Sequence, residues 1–184
     1  MRMHFSPVTE KDVALLTEWR NRPHVAEWWG GVATLEEVRE EVRDEVRREV
    51  LAQSLPQRKE SSAAVSYLAY HEGEAIGYIQ CYVAVDSGDG WWAGQHDASV
   101  RGIDQFLANP AQVGRGLGAE MVRAFTQFLL LDPAVSKIQC DPAPNNTRAI
   151  RCYEKAGFSQ VGRILTPDGP AILMVLERRA EETG

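Results

Sequence analysis

Gln112-Val113-Gly114-Arg115-Gly116-Leu117-Gly118-Ala119 sets three alternating glycines just ahead of an amphipathic segment, Glu120 to Leu131. A glycine carries no Cβ, so its backbone can approach a ligand closely. The first N–H groups of a helix have no partner within it, and the helix dipole there favours negative charge. Together these make a seat for a pyrophosphate. The glycines alone are equally compatible with a flexible turn before a helix. A P-loop needs G-x-x-x-x-G-K-[S/T], and no such string occurs. The dinucleotide fingerprint G-x-G-x-x-G needs another spacing and a first strand–turn–helix unit, whereas this loop falls late in the chain. The spacing points to a nucleotide-diphosphate cofactor of another kind.

The elements that must position this loop read as alternating strands and helices. Phe5 to Val8 reads as a strand, and Thr9 to Arg20 as a helix with Thr9 and Asp12 in a capping-box relation. Asn21-Arg22-Pro23 breaks the chain before Val25 to Gly31. Thr34 to Leu55 is the clearest helix: Thr34 and Glu37 form a capping box, and Leu35, Val38, Val42, Val46 and Val50 form one apolar stripe. Its other faces carry blocks of charge, with Glu36–Arg39, Glu40–Arg43 and Asp44–Arg48 opposed at helical spacing; this reads as a solvated face. Gln57 to Ser62 reads as a loop. Ala64 to Tyr70 and Ala75 to Val85 read as a hairpin around His71-Glu72-Gly73-Glu74. Asp86 to Gly90 is a loop ending at Trp91-Trp92, and Val100 to Leu107 is a strand. After the glycine loop and its helix come a strand, Val135 to Cys140, and a helix, Thr147 to Ala156. Asn145 or Asn146 caps that helix and Gly157 ends it. Phe158 to Leu165 and Ala171 to Arg178 are strands around Thr166-Pro167-Asp168-Gly169-Pro170. The tail Ala180 to Gly184 is expected to fray.

The 184 residues suit a single domain with a sizeable core. The amino-terminal stretch Met1 to Pro7 has no long apolar run, so no signal peptide is expected, and no stretch approaches the length of a membrane span. Cys81, Cys140 and Cys152 form no C-x-x-C pair, and His4, His24, His71 and His96 are scattered. A disulfide framework or a metal site is therefore not expected, and a reducing, cytoplasmic setting fits. The net charge of −6 argues against nucleic acid and is compatible with a cationic substrate.

The ordered set of Q-x-G-R-G-x-G-A (Gln112 to Ala119), then Asn145-Asn146, then Arg151-Cys152-Tyr153-Glu154-Lys155-Ala156-Gly157-Phe158 resembles the GCN5-related N-acetyltransferases. Within that superfamily the chain is similar to the aminoglycoside 6′-N-acetyltransferases. The similarity rests on Glu27-Trp28-Trp29-Gly30-Gly31, Gly88-Asp89-Gly90-Trp91-Trp92, Val100-Arg101-Gly102-Ile103-Asp104-Gln105 and Thr166-Pro167-Asp168-Gly169-Pro170-Ala171. It runs from about Val8 to Val175 and is weakest in the charged helix and the loop after it. The resemblance implies an α+β fold: a mostly antiparallel central sheet, splayed for the cofactor and flanked by helices. It implies acetyl-coenzyme A as co-substrate, with its pyrophosphate on Gly114 to Gly118, Arg115 adding charge, and Gln112, Val113, Leu117 and Ala119 completing the cradle. It implies Asn146 on the pantetheine arm and Tyr153 at the departing thiolate.

Acetyl transfer to an amine needs the amine deprotonated, the two reactants held together, a donor for the oxyanion and an acid for the sulfur. Asp104 is the first candidate for assisting deprotonation, or for anchoring the ammonium; Asp141, after the next strand, is an ammonium anchor. Asp89 and Asp168 are weaker substrate-binding candidates in loops, since an Asp-Gly pair is often only a turn. Backbone N–H groups within Asp104 to Leu107 are the oxyanion candidates. Trp29 and Trp92 suit the walls of a sugar site. Their neighbours Trp28 and Trp91 would turn inward if each pair is extended. The expected activity is transfer of acetyl to the 6′-amine of an aminoglycoside, conferring resistance, by a monomer or homodimer. Trp19-Arg20-Asn21-Arg22-Pro23-His24 followed by Trp28 also resembles siderophore-type lysine N-acyltransferases, but Asp89, Asp104 and Asp141 favour a polycation. A module that binds coenzyme A or antibiotic without turnover would not need Tyr153, which is present.

Overall fold

Helices in this chain follow apolar stripes, and several elements stop at residues that break regular structure: β1 at Pro7, α1 before Asn21, α5 before Gly157 and β6 before Pro167. The computed structural model describes residues 3–54, 64–86 and 90–178. The elements are β1 (Met3–Pro7), α1 (Val13–Arg20), α2 (Pro23–Ala26), α3 (Leu35–Ser54), β2 (Val65–His71), β3 (Glu74–Val83), β4 (Val100–Leu107), α4 (Leu117–Leu129), β5 (Lys137–Cys140), α5 (Thr147–Ala156), β6 (Ser159–Thr166) and β7 (Gly169–Glu177). The strands hydrogen-bond in the order β1-β2-β3-β4-β5-β7-β6. The β1–β2, β5–β7 and β6–β7 pairs are antiparallel, and β4–β5 is parallel. The mixed, mostly antiparallel sheet with flanking helices is the architecture expected from the sequence.

The chain forms two compact units, Met1–Gln80 with Gln105–Val113, and Cys81–Asp104 with Gly114–Gly184. In the first, Val13, Leu16, Trp19, Val25, Val38, Val42, Leu68 and Phe106 make one buried cluster. The helix expected from Thr9 opens as a single 3-10 turn, Glu10–Asp12, before α1. The Asp12 carboxylate accepts from both the N–H and the hydroxyl of Thr9, at 2.8 and 2.9 Å. The capping box at Thr34 is present: Thr34 N–H donates to Glu37 Oε2 at 2.7 Å, and Glu37 N–H donates to Thr34 Oγ1 at 3.2 Å. Val38 and Val42 of the α3 stripe are buried, whereas Leu35 is exposed. Of the expected ion pairs, Arg39–Glu36 forms; Arg43 instead reaches Glu10 at 3.6 Å, and Arg48 donates to the Asp44 carbonyl. The expected loop Gln57 to Ser62 and the tail from Ala180 lie outside the described residues.

In the second unit Phe125, Met121, Val122, Ile103, Ile138 and Met174 are fully buried. Here α4 lays its apolar face inward, and α5 ends at Gly157 in the left-handed region (φ 108°). This is the C-cap that glycine tolerates without steric cost.

Candidate active site

Asn109 caps a 3-10 turn, Pro110–Gln112, by accepting from Ala111 N–H at 2.9 Å, and this turn delivers the chain to the glycines. Gly114 and Gly116 have φ of 80° and 91°, and a Cβ at either would meet no protein atom within 4 Å. Gly116 is the residue before α4, so the helix starts at Leu117, three residues earlier than the sequence pattern suggests. Glu120 N–H already bonds the Gly116 carbonyl at 3.0 Å, which leaves Leu117, Gly118 and Ala119 in the first turn, where N–H groups have no carbonyl one turn back. Arg115 is exposed. The Gln112 side-chain oxygen is buried with no hydrogen-bond partner among the described residues. Open space over glycine backbone at a helix N-terminus, with N–H groups to donate, fits a diphosphate; the Gln112 oxygen, an acceptor only, does not contribute to it.

Strands β4 and β5 pair only from Val100↔Lys137 to Gly102↔Gln139, although both run further. Beyond the last pair they carry Asp104 and, one residue after β5, Asp141. Burial raises the affinity of Asp141 for a proton, the negative charge of Asp104 adds to it, and Asp168 adds a little more; its pKa is about 7. One of two carboxyls in a shared field thus holds its proton near neutrality. Such a pair receives an ammonium group well, because the incoming charge relieves their repulsion.

Asn146, not Asn145, caps α5: its Oδ1 accepts from Ala149 N–H at 3.1 Å. Tyr153 on α5 is buried, its ring edge-on to Phe158 at 5.4 Å. Burial first, and the neighbouring Cys140, Asp104, Cys152 and Asp141 after it, push its phenol well above the ordinary range. It therefore keeps its proton at physiological pH and can act as an acid but not as a base. Cys140 is buried, its thiol pushed up by burial and by Asp141 and Asp104; Cys152 rises to about 11 through burial.

The tryptophans are arranged differently from the extended pairs expected. Trp28 and Trp29 follow α2 in successive turns, so strand alternation does not govern them. The Trp29 ring packs edge-on against Tyr78 (5.5 Å) and Phe106 (5.0 Å), which are themselves stacked. Trp29 therefore belongs partly to the core of its unit. Trp28, expected to turn inward, is half-buried with its indole N–H unpartnered among the described residues. Trp91 and Trp92 also lie in turns; Trp92 has φ 53° and donates its indole N–H to Tyr82 Oη at 3.2 Å. Asp89 lies outside the described residues.

Tyr82 was not among the sequence candidates, although it senses both Asp104 and Asp141. The legible signal was Gly102: a glycine inside a strand pattern marks a close approach to the backbone. The Trp19–His24 string has an architectural explanation instead. Asn21 exchanges two bonds with Ala33, Arg22 donates to the Ala108 carbonyl at 2.7 Å, and His24 bonds the Leu107 carbonyl at 2.9 Å.

Residues 8–166 match the model of the Acetyltransferase (GNAT) domain. The chain is 53% identical over 175 residues to an aminoglycoside N(6′)-acetyltransferase type 1 of Klebsiella pneumoniae, covering 95% of this chain and 83% of that protein. A crystal structure of the aminoglycoside acetyltransferase AAC(6′)-Ib in complex with coenzyme A and kanamycin superposes with a TM-score of 0.82 at 49% identity, covering 96% of this chain and 95% of that one. Similarity to a lysine N-acyltransferase of Mycobacterium tuberculosis is lower, 25% over 175 residues, covering 90% of this chain and 73% of that protein. With a family model matched over residues 8–166 and a relative 53% identical over 95% of this sequence, the chain belongs to the GNAT acetyltransferase family.

Proposed function

We propose that this enzyme transfers an acetyl group from acetyl-coenzyme A to the 6′-amine of an aminoglycoside. The observation that carries the reading is the carboxyl pair, Asp104 and Asp141, placed where β4 and β5 part, with the buried Tyr153 phenol in the same field. Bound acetyl-coenzyme A supplies the activated acetyl group as its thioester. On this reading Gly114 to Gly118 hold the diphosphate with backbone N–H groups, and the Asn146 amide meets the pantetheine arm.

The carboxylates anchor the polycation and steer its amine. An ordinary aspartate is a weak base toward an ammonium, so Asp104 assists proton removal only once the amine is held in place. Backbone N–H groups between Asp104 and Leu107 serve the carbonyl oxygen as charge develops there. Tyr153 holds the proton destined for the departing sulfur. The amide product carries one positive charge fewer, which weakens attraction to anionic RNA; this is the route to resistance. Cys81, Cys140 and Cys152 are free thiols, in keeping with a reducing cytoplasm.

The test is thiol release from acetyl-coenzyme A with kanamycin, with hydroxylysine and with no acceptor. Release with kanamycin alone is the expected result. Release with hydroxylysine alone would transfer the chain to the lysine acyltransferases, and none with any acceptor would leave a binding module.

A further inference from the structure

The Tyr82 ring lies against the bare backbone of Gly102. A Cβ at Gly102 would stand 2.3 Å from Tyr82 Cε2, 2.4 Å from Cζ and 2.7 Å from Oη. Residues two apart on a strand share a face, so Gly102 and Asp104 face the same way and the phenol sits beside Asp104. Tyr82 Oη accepts the indole N–H of Trp92 at 3.2 Å. Trp92 is at φ 53°, a conformation that a bulky residue takes only where its surroundings impose it. Its carbonyl is tied by Gln95 N–H at 2.9 Å. Burial, then Asp104 and Asp141, raise the pKa of Tyr82. The phenol is therefore a neutral hydroxyl throughout the working pH range, and the bond to Trp92 does not switch with pH.

We propose that Tyr82 is a positioning residue for the acceptor: seated on Gly102, it holds the Trp92 indole where the amino sugar must lie to reach Asp104. It thereby sets acceptor affinity without touching the donor. The inference rests on the acetyltransferase reading above.

Tyr82→Phe in the full chain keeps the ring on Gly102 and removes the oxygen that Trp92 donates to. The KM for kanamycin should rise about tenfold, while kcat and the KM for acetyl-coenzyme A stay within about twofold. Trp92→Phe should raise the same KM, and the double variant should be no worse than Trp92→Phe alone, because both remove one interaction. Multiplying effects, or a wild-type kanamycin KM for Tyr82→Phe, would overturn the proposal. A readout independent of turnover is the indole N–H resonance identified by its loss in Trp92→Phe. It should shift in Tyr82→Phe and in Gly102→Ala, which displaces the ring; a resonance unmoved in both variants also refutes the idea. Absence of wild-type turnover with kanamycin would remove the functional reading, while the resonance still decides whether Tyr82 holds Trp92.

Discussion

Asp141 leaves water on folding and meets the charge of Asp104, so the folded chain binds its proton more tightly than the unfolded chain does. Its pKa rises from 3.8 to about 7. Below the lower value both states are protonated and stability does not respond to pH. Between the two, the native state keeps a proton that the unfolded state has released, so stability falls as pH rises, by up to about 1.4 kcal/mol per pH unit. Above about 7 the effect is complete. Asp141→Asn should therefore raise the melting temperature at pH 8 and leave it nearly unchanged at pH 4. A polycation needs the ionised form, so the KM for kanamycin should fall as pH rises from 6 toward 8, and this slope should flatten in the variant; an equal slope in both would remove Asp141 from acceptor binding. Tyr153→Phe preserves the packing on Phe158 and deletes the proton. Its kcat should drop about a hundredfold or more with little change in melting temperature, as befits loss of a general acid. Asp104→Asn should lower turnover comparably while acetyl-coenzyme A still binds, which isothermal titration would show.

At the scale of elements, the start of α4 is where backbone geometry matters most. Gly116→Val places a branched side chain at φ 91° and into space that the protein leaves open. The strain should destabilise the fold by about 1–2 kcal/mol, and affinity for coenzyme A should fall by far more than that strain explains; unchanged affinity would refute the cradle. A second prediction concerns α3. Glu45 is half-buried and accepts from the buried Ser66 N–H at 2.5 Å and from its hydroxyl at 2.7 Å; that hydroxyl also bonds Tyr78. Glu45→Ala would leave the buried Ser66 donor without its acceptor, at a cost of about 1–3 kcal/mol, visible in thermal melts. The sequence discloses elements unevenly. Helix α5 is legible to the residue, because an Asn-to-Gly capped stripe bounds it on both sides, and β4 keeps its expected span, Val100–Leu107. The Glu45–Ser66–Tyr78 chain is not legible: a glutamate within a run of charge carries no mark of burial, and only its contact with β2 gives it one. The tryptophan pairs misled for a related reason. Alternation presumes extended backbone, whereas turns following α2 and around Gly90 set where these rings point. The glycine loop is legible because it is backbone and local; Tyr82 needed a contact between two strands.

For the whole molecule, the net charge of −6 has opposite consequences for the two substrates. An aminoglycoside is a polycation drawn toward an acidic protein, whereas coenzyme A carries phosphates that the same field repels. On the proposed function, the N–H dipoles of Gly114 to Gly118 and the Arg115 charge would answer that repulsion at short range. Short-range contacts inside the site are screened much less by salt than the long-range field, whose reach falls from about 10 Å at 0.1 M to about 3 Å at 1 M. Raising ionic strength should therefore separate the two. Between about 0.05 and 0.5 M salt, kcat/KM for kanamycin should fall several-fold while kcat/KM for acetyl-coenzyme A holds steady or rises. Parallel falls for both substrates would mean that salt acts on the fold or on a shared step, and that the acidity of the protein does not serve acceptor capture. Neutralising an exposed acid on α3, such as Glu40→Gln, changes the net charge by one without entering the site. It should flatten the kanamycin salt slope slightly, whereas Asp141→Asn, which removes a contact inside the site, should raise the KM for kanamycin at every salt concentration. The contrast would separate the field of the whole protein from that of the two carboxyls.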